Sequence, residues 1–275
     1  MHLGLVLSGG AAYGLANIGV LEALEEQNIR PDCIAGSSMG SIVAAVYALG
    51  HSVETLKKLA SGIRMFQLAS ISESPLKNGL HGGILRPRLK EALLPLIGSA
   101  CIGDCEIPFV CIAGRVRQPL AWHKILTGGF TGHVLDRIEP HVFSKNTSVM
   151  DAIMASSAIP VVFSPVNIGE DTYVDMVHFG AIPARTLQET HHPNVLIATD
   201  TTPVHESLEP YLPVSWQEFL REGYKELQKS KDACDLVLYP KLKGSAARFD
   251  LGNQFVASGY DETMKHMDEI HALLQ

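Results

Sequence analysis

The chain has 275 residues, 46% apolar and 19% charged, so it can build a sizeable core and is not a disordered polymer. Its 22 Lys plus Arg are outweighed by 29 Asp plus Glu, and a formal charge of −7 argues against nucleic-acid binding through phosphate contacts. Five scattered cysteines (Cys33, Cys101, Cys105, Cys111, Cys234) with no C-x-x-C pair exclude a disulfide framework and offer no zinc spacing; they suit free thiols in a reducing cytoplasm.

Leu3-Gly4-Leu5-Val6-Leu7 is a short apolar run ending in glycines, the pattern of a strand buried on both faces. Leu15, Ile18, Leu21 and Leu24 follow with helical spacing. Residues 1–21 are uncharged, but they lack a basic leading region and break at Ser8-Gly9-Gly10, so they read as mature protein rather than an export signal. Cys33-Ile34-Ala35 predicts a second strand, and Gly36 to Gly40 turns into an apolar helix over 41–49, stopped by Gly50. The uncharged stretch 33–53 is interrupted by small polar residues and reads as buried core, not as a bilayer span.

Helices are expected near 52–62 and 86–98, separated by an irregular surface connection over 62–85, with strands near 109–113 and 120–126. A helix near 148–157 opens on an S-x-x-D capping box, Ser148 with Asp151. A strand ending at Tyr173-Val174-Asp175, a strand at 195–199, a helix near 215–230, a strand at 236–239 and a last helix near 254–273 complete the order. Strands alternating with helices predict one α/β domain over 1–275, a three-layer α/β/α sandwich around a largely parallel sheet.

Gly36-Ser37-Ser38-Met39-Gly40 matches G-x-S-x-G between a short strand and an apolar helix, the context in which that pattern exposes a nucleophilic serine, here Ser38. Gly36 and Gly40 are expected to leave room for the tight turn, and the following helix aims its first N–H groups at developing negative charge. The turn Ser8-Gly9-Gly10-Ala11 can add backbone donors for an oxyanion, since loops at the carboxyl ends of neighbouring parallel strands open onto one crevice. The same turn is compatible with a dinucleotide fold, with Asp32 as the ribose-binding acid, although position 11 is Ala and Ser38 then has no role. Twelve histidines supply no recognisable general base; His205, His266 and His271 come late enough for a Ser, Asp, His order.

Three blocks make the sequence resemble the patatin-like phospholipases: Leu5 to Gly10 with Gly14-Leu15-Ala16 and Ile18 to Leu21; Ile34 to Ser41; and Ala155 to Pro160 with Phe163, Pro165 and Tyr173-Val174-Asp175. Ser258-Gly259-Tyr260 looks like a further family block. The resemblance implies a Ser38/Asp175 dyad without histidine, an oxyanion hole of Gly9, Gly10, Ala11 and Met39, a lipid acyl ester as substrate, transient contact with a membrane or micelle surface, and neither metal nor cofactor. Such a base needs a partly desolvated pocket, because a free carboxylate near pKa 4 accepts a proton poorly.

The chain departs from the family in three places. Ala11 stands for a glycine and keeps the donor amide if its φ is negative; Tyr13 stands for Arg or Lys; and Met176-Val177 follow the aspartate where the family has small residues. If position 176 requires a positive φ, Met176 is strained and Asp175 is misdirected. A weakened, lipid- or protein-binding member of the fold is therefore the alternative to a hydrolase.

Overall fold

The computed structural model describes residues 1–70, 85–117, 138–159, 163, 165–203 and 214–275. The expected strand at 120–126 lies outside them. The described residues form one sheet of β1 (Leu3–Leu7), β2 (Cys33–Gly36), β3 (Phe109–Val116), β4 (Ile138–Val142), β5 (Val166–Ile168), β6 (Asp171–Val174), β7 (Val195–Thr199) and β8 (Leu236–Leu238). Hydrogen-bonded neighbours run β5-β6-β3-β2-β1-β7-β8, with β4 also on β3. The pairings among β1, β2, β3, β7 and β8 are parallel; those of β4, β5 and β6 are antiparallel.

Every residue of β1, β2 and β7 is buried, and alternation along β1 divides the core. Leu3, Leu5 and Leu7 pack with residues of α1 (Ala16–Glu26), α2 (Met39–Ala48), α3 (Val53–Ser70), α4 (Leu85–Ile97), α5 (Val149–Ser156), and, later in the chain, Phe255 and Ile270. Val6 points the other way, to Ala184 and Leu187 of α6 (Ala184–His191) and Leu227 of α7 (Val214–Lys231). These two apolar faces make the three expected layers.

The structure differs from the sequence reading in places. The helix expected to stop near 62 continues to Ser70, so Met65 to Leu68 are helical rather than part of an irregular connection, and 71–84 lie outside the described residues. The last helix is two, α8 (Gly252–Lys265) and α9 (Met267–Leu273), broken at His266, whose Nδ1 sits 3.0 Å from the Glu262 carbonyl. Strands β4 and β5 were not expected; β5 and β6 form a hairpin turned at Gly169 with φ +61. Ser148 does open α5, its Oγ accepting the Asp151 N–H at 3.4 Å.

The register of β3 matters most for the site. Cys111 has Gly36 of β2 as its register partner, while its carbonyl accepts the Phe143 N–H just beyond β4, so β2 and β4 flank opposite sides of β3. β4 and β6 both pair with Gly114 to Val116 and must also be opposite each other. It follows that β2 and β6 lie along the same side of β3 and run toward each other. Their carboxyl ends, Gly36 beside Cys111 and Val174 beside Gly114, face across three residues of β3, about 10 Å at about 3.3 Å per residue.

Candidate active site

Ser38 leaves the end of β2 and Asp175 the end of β6, so both enter that gap from opposite directions. Both are buried, Ser38 at 7% and Asp175 at 5% exposure. Ser38 has φ +50 and ψ −127, a conformation side chains rarely adopt, and caps α2. A sharp, strained strand-to-helix turn of this kind presents a serine hydroxyl. Its sharpness depends on Gly40, where a Cβ would lie 2.1 Å from the Leu7 carbonyl oxygen, and on Gly36, where one would lie 2.5 Å from the Gly40 carbonyl oxygen.

The glycine turn after β1 abuts this elbow: a Cβ on Gly9 would be 2.9 Å from that of Ser38. Gly9 was expected to donate to an oxyanion, but its N–H is given to the Ala181 carbonyl at 3.1 Å, so its contribution is close approach. The Ser38 N–H is also engaged, by Ser156 Oγ at 2.9 Å. Among the described residues, no acceptor takes the N–H of Gly10, Ala11 or Met39, the last two being first residues of a 3-10 turn (Ala11–Leu15) and of α2. Toward the described residues, these three amides remain available as donors.

The backbone decides the two conditions attached to the departures at Ala11 and Met176. Ala11 has φ +49, so the condition of a negative φ is not met and the turn carries strain a glycine would relieve. Met176 has φ −75 and ψ −8, ordinary helical backbone, so a methionine is accommodated after Asp175. Tyr13 acts as a tie rather than a charge: its hydroxyl donates to the Gly244 carbonyl at 2.7 Å and its ring meets Phe255 edge-on at 5.2 Å.

A buried polar network that sequence reasoning missed holds the glycine turn. Thr201 Oγ1 lies 2.8 Å from Ser8 Oγ and donates to the Gly9 carbonyl at 2.9 Å; Ser8 Oγ accepts the Thr201 N–H, and Asn17 Nδ2 donates to the Ser8 carbonyl at 3.0 Å. Gly10, at φ +155, lies so close to Thr201 that a Cβ would be 2.1 Å from its carbonyl oxygen. The only outward signal is polar Ser8, Thr199 and Thr201 at the ends of two apolar strands. Asp32, the candidate ribose ligand, instead accepts the Leu3 N–H at 2.6 Å. It precedes β2 and so sits at the amino ends of the parallel strands, opposite the glycine turn, which removes it from a dinucleotide site. His266 is engaged with Glu262, and His205 lies outside the described residues.

Beneath the elbow, Cys111 is fully buried and burial pushes its thiol up to about 12, with the Asp175 charge adding to the rise. It is a neutral floor, not a nucleophile. No described group of His, Cys, Asp and Glu is arranged to hold a metal ion.

The patatin-like phospholipase sequence model matches residues 5–186, which span all three motif blocks. The chain belongs to the patatin-like phospholipase family. Relatives of the chain include a protein named lysophospholipase NTE1 from Mycosarcoma maydis, 52% identical over 119 residues that make up 40% of this chain and 6% of that protein. An uncharacterized NTE family protein of Mycobacterium bovis is 28% identical over 201 residues, 67% of this chain and 28% of the relative. The chain thus spans less than a third of the length of these curated relatives. The crystal structure of VipD from Legionella pneumophila shares the patatin fold, with a TM-score of 0.50 at 16% identity over 98% of this chain and 67% of that one.

Proposed function

We propose that the chain is a serine carboxylic ester hydrolase acting on lipid acyl esters, phospholipids or lysophospholipids, through a Ser38/Asp175 dyad. The observation that supports it most is the forced turn at Ser38, aimed into the gap that Asp175 enters from the opposing strand. Ser38 Oγ bonds to the acyl carbonyl carbon as its proton passes to the Asp175 carboxylate, and the amides of Gly10, Ala11 and Met39 receive the oxyanion. The proton then goes to the departing alcohol; water, deprotonated by Asp175, attacks the acyl-serine carbonyl, and the proton passes from Asp175 to the leaving Ser38 Oγ as the fatty acid is released. A relative named as a lysophospholipase supports the substrate class. A cytoplasmic location with transient contact at a lipid surface belongs to the same proposal; the described residues include no helix long and apolar enough to cross a membrane, and all five cysteines are free.

The test is hydrolysis of a p-nitrophenyl acyl ester by wild type, Ser38→Ala and Asp175→Asn. Both variants are expected at background with unchanged melting temperature. Activity that survives in Asp175→Asn overturns the dyad. The strain at Ala11 favours a second reading, a weakened member of the family that binds rather than cleaves lipid. Failure of an organophosphonate ester to label wild-type Ser38 at neutral pH is its expected mark.

A further inference from the structure

The end of α5 and the residues just after it touch both members of the proposed dyad. Ser156, only 1% exposed, accepts the Ser38 N–H on its Oγ at 2.9 Å. Two residues on, the Ala158 carbonyl accepts the Asp175 N–H at 2.9 Å. The backbones of nucleophile and base, which arrive from different strands and have no covalent connection shorter than the whole intervening chain, are therefore pinned to one tripeptide. A second hydroxyl completes the grip on Ser38: Ser41 Oγ donates to the Ser38 carbonyl at 2.6 Å. Both backbone polar groups of the strained residue, its N–H and its carbonyl, are held by side chains.

We propose that Ser156 is a positioning residue: by holding the Ser38 amide two residues from the carbonyl that holds Asp175, it sets the separation of the two groups and keeps Ser38 at positive φ. The inference rests on the hydrolase reading for its kinetic consequence, though not for its geometric one. A positive φ at a serine persists only where surroundings over-determine it. Met39 lies on the next peptide, so relaxation at Ser38 also swings an oxyanion donor. Ser41, within the same helix turn, can restrain the carbonyl but not the distance to Asp175. Ser156 is the side-chain contact that reaches the elbow from the segment holding the other partner. Losing a neutral hydrogen bond lowers stability modestly, whereas misplacing two reacting groups by about 1 Å can cost about 100-fold in rate.

The experiment compares wild type, Ser156→Ala, Ser156→Thr and, as control, Thr263→Val. Thr263 is equally buried, and its Oγ1 donates to the Gly259 carbonyl at 2.8 Å in α8, outside the three blocks that carry the glycine turn, Ser38 and Asp175. Ester hydrolysis by Ser156→Ala is expected to fall about 10- to 100-fold in kcat with KM within about twofold, and Ser156→Thr, which keeps the oxygen, to recover most of it. Thr263→Val is expected to lose similar thermal stability and keep its kcat. A Ser156→Ala enzyme no slower than Thr263→Val overturns the proposal. A crystal structure of Ser156→Ala gives a reading that needs no activity: Ser38 relaxed from positive φ supports the brace, and an unmoved elbow overturns it. Wild type inactive on every ester, with a relaxed elbow in Ser156→Ala, keeps the brace and removes the hydrolase reading instead.

Discussion

Strands β1, β2 and β7 are buried along their whole length, whereas β4 and β5 contain no buried residue and β6 buries only its last two. The parallel part is held by apolar side chains on both faces. The antiparallel part carries charge across its strands: Arg115 Nε donates to Glu139 at 2.6 Å, Arg117 also pairs with Glu139, and Arg115 reaches Asp171 at 3.4 Å. Ser38 comes from the first part and Asp175 from the second, and β3 is the strand both share. The proposed chemistry thus sits where a rigid, doubly covered sheet meets a solvated extension. What differs between the parts is how much a single residue can matter.

The largest effect is expected at the elbow of the parallel part. Gly40→Ala drives a methyl group toward two carbonyl oxygens, those of Leu7 and Ser8, and should cost about 3 kcal/mol in urea unfolding. Ser38→Gly should act the other way, removing the strain at φ +50 and raising stability by about 1–2 kcal/mol while abolishing ester hydrolysis. A variant no more stable than wild type means the elbow is not strained. Ala11→Gly, relieving φ +49, is expected to add about 0.5–1 kcal/mol to the same unfolding free energy. The smallest change belongs to the solvated part: Glu139→Gln should lose at most about 1 kcal/mol, and the loss should shrink in about 1 M NaCl. A salt-independent loss larger than that of Gly40→Ala would invert the comparison.

The same division explains what the sequence revealed. Leu3 to Leu7 and residues 195–199 were legible as strands because burial on both faces demands unbroken apolar runs. β4, reading Ile-Glu-Pro-His-Val, and the three-residue β5 are short and half-solvated, so no apolar period marks them. G-x-S-x-G and the glycine turn were visible because close backbone approach permits few residue types. The partners of those turns were not. Ser156 and Thr201 act through single hydroxyls from distant segments, and nothing about a lone serine or threonine announces which amide it will meet. Gly9 shows the converse, since its place in the turn was readable but the direction of its N–H, toward Ala181, depends on a strand-to-helix connection far along the chain.

The segment that the family's sequence model matches ends at residue 186, yet β7 and α8 lie beyond it. β7 pairs with β1 on the side β2 leaves open, and Thr201, just past it, fastens the glycine turn. In α8, a Cβ on Gly259 would lie 1.9 Å from the Ala16 carbonyl oxygen of α1, and one on Gly19 would lie 1.9 Å from that of Val256. As a unit of inheritance, then, the module is longer than the segment that the family's sequence model matches. A recombination that kept residues 5–186 and exchanged the rest would carry Ser38 and Asp175 on a sheet with an open edge. It would succeed only if the incoming segment brought a strand of matching register and a helix with a glycine at the crossing.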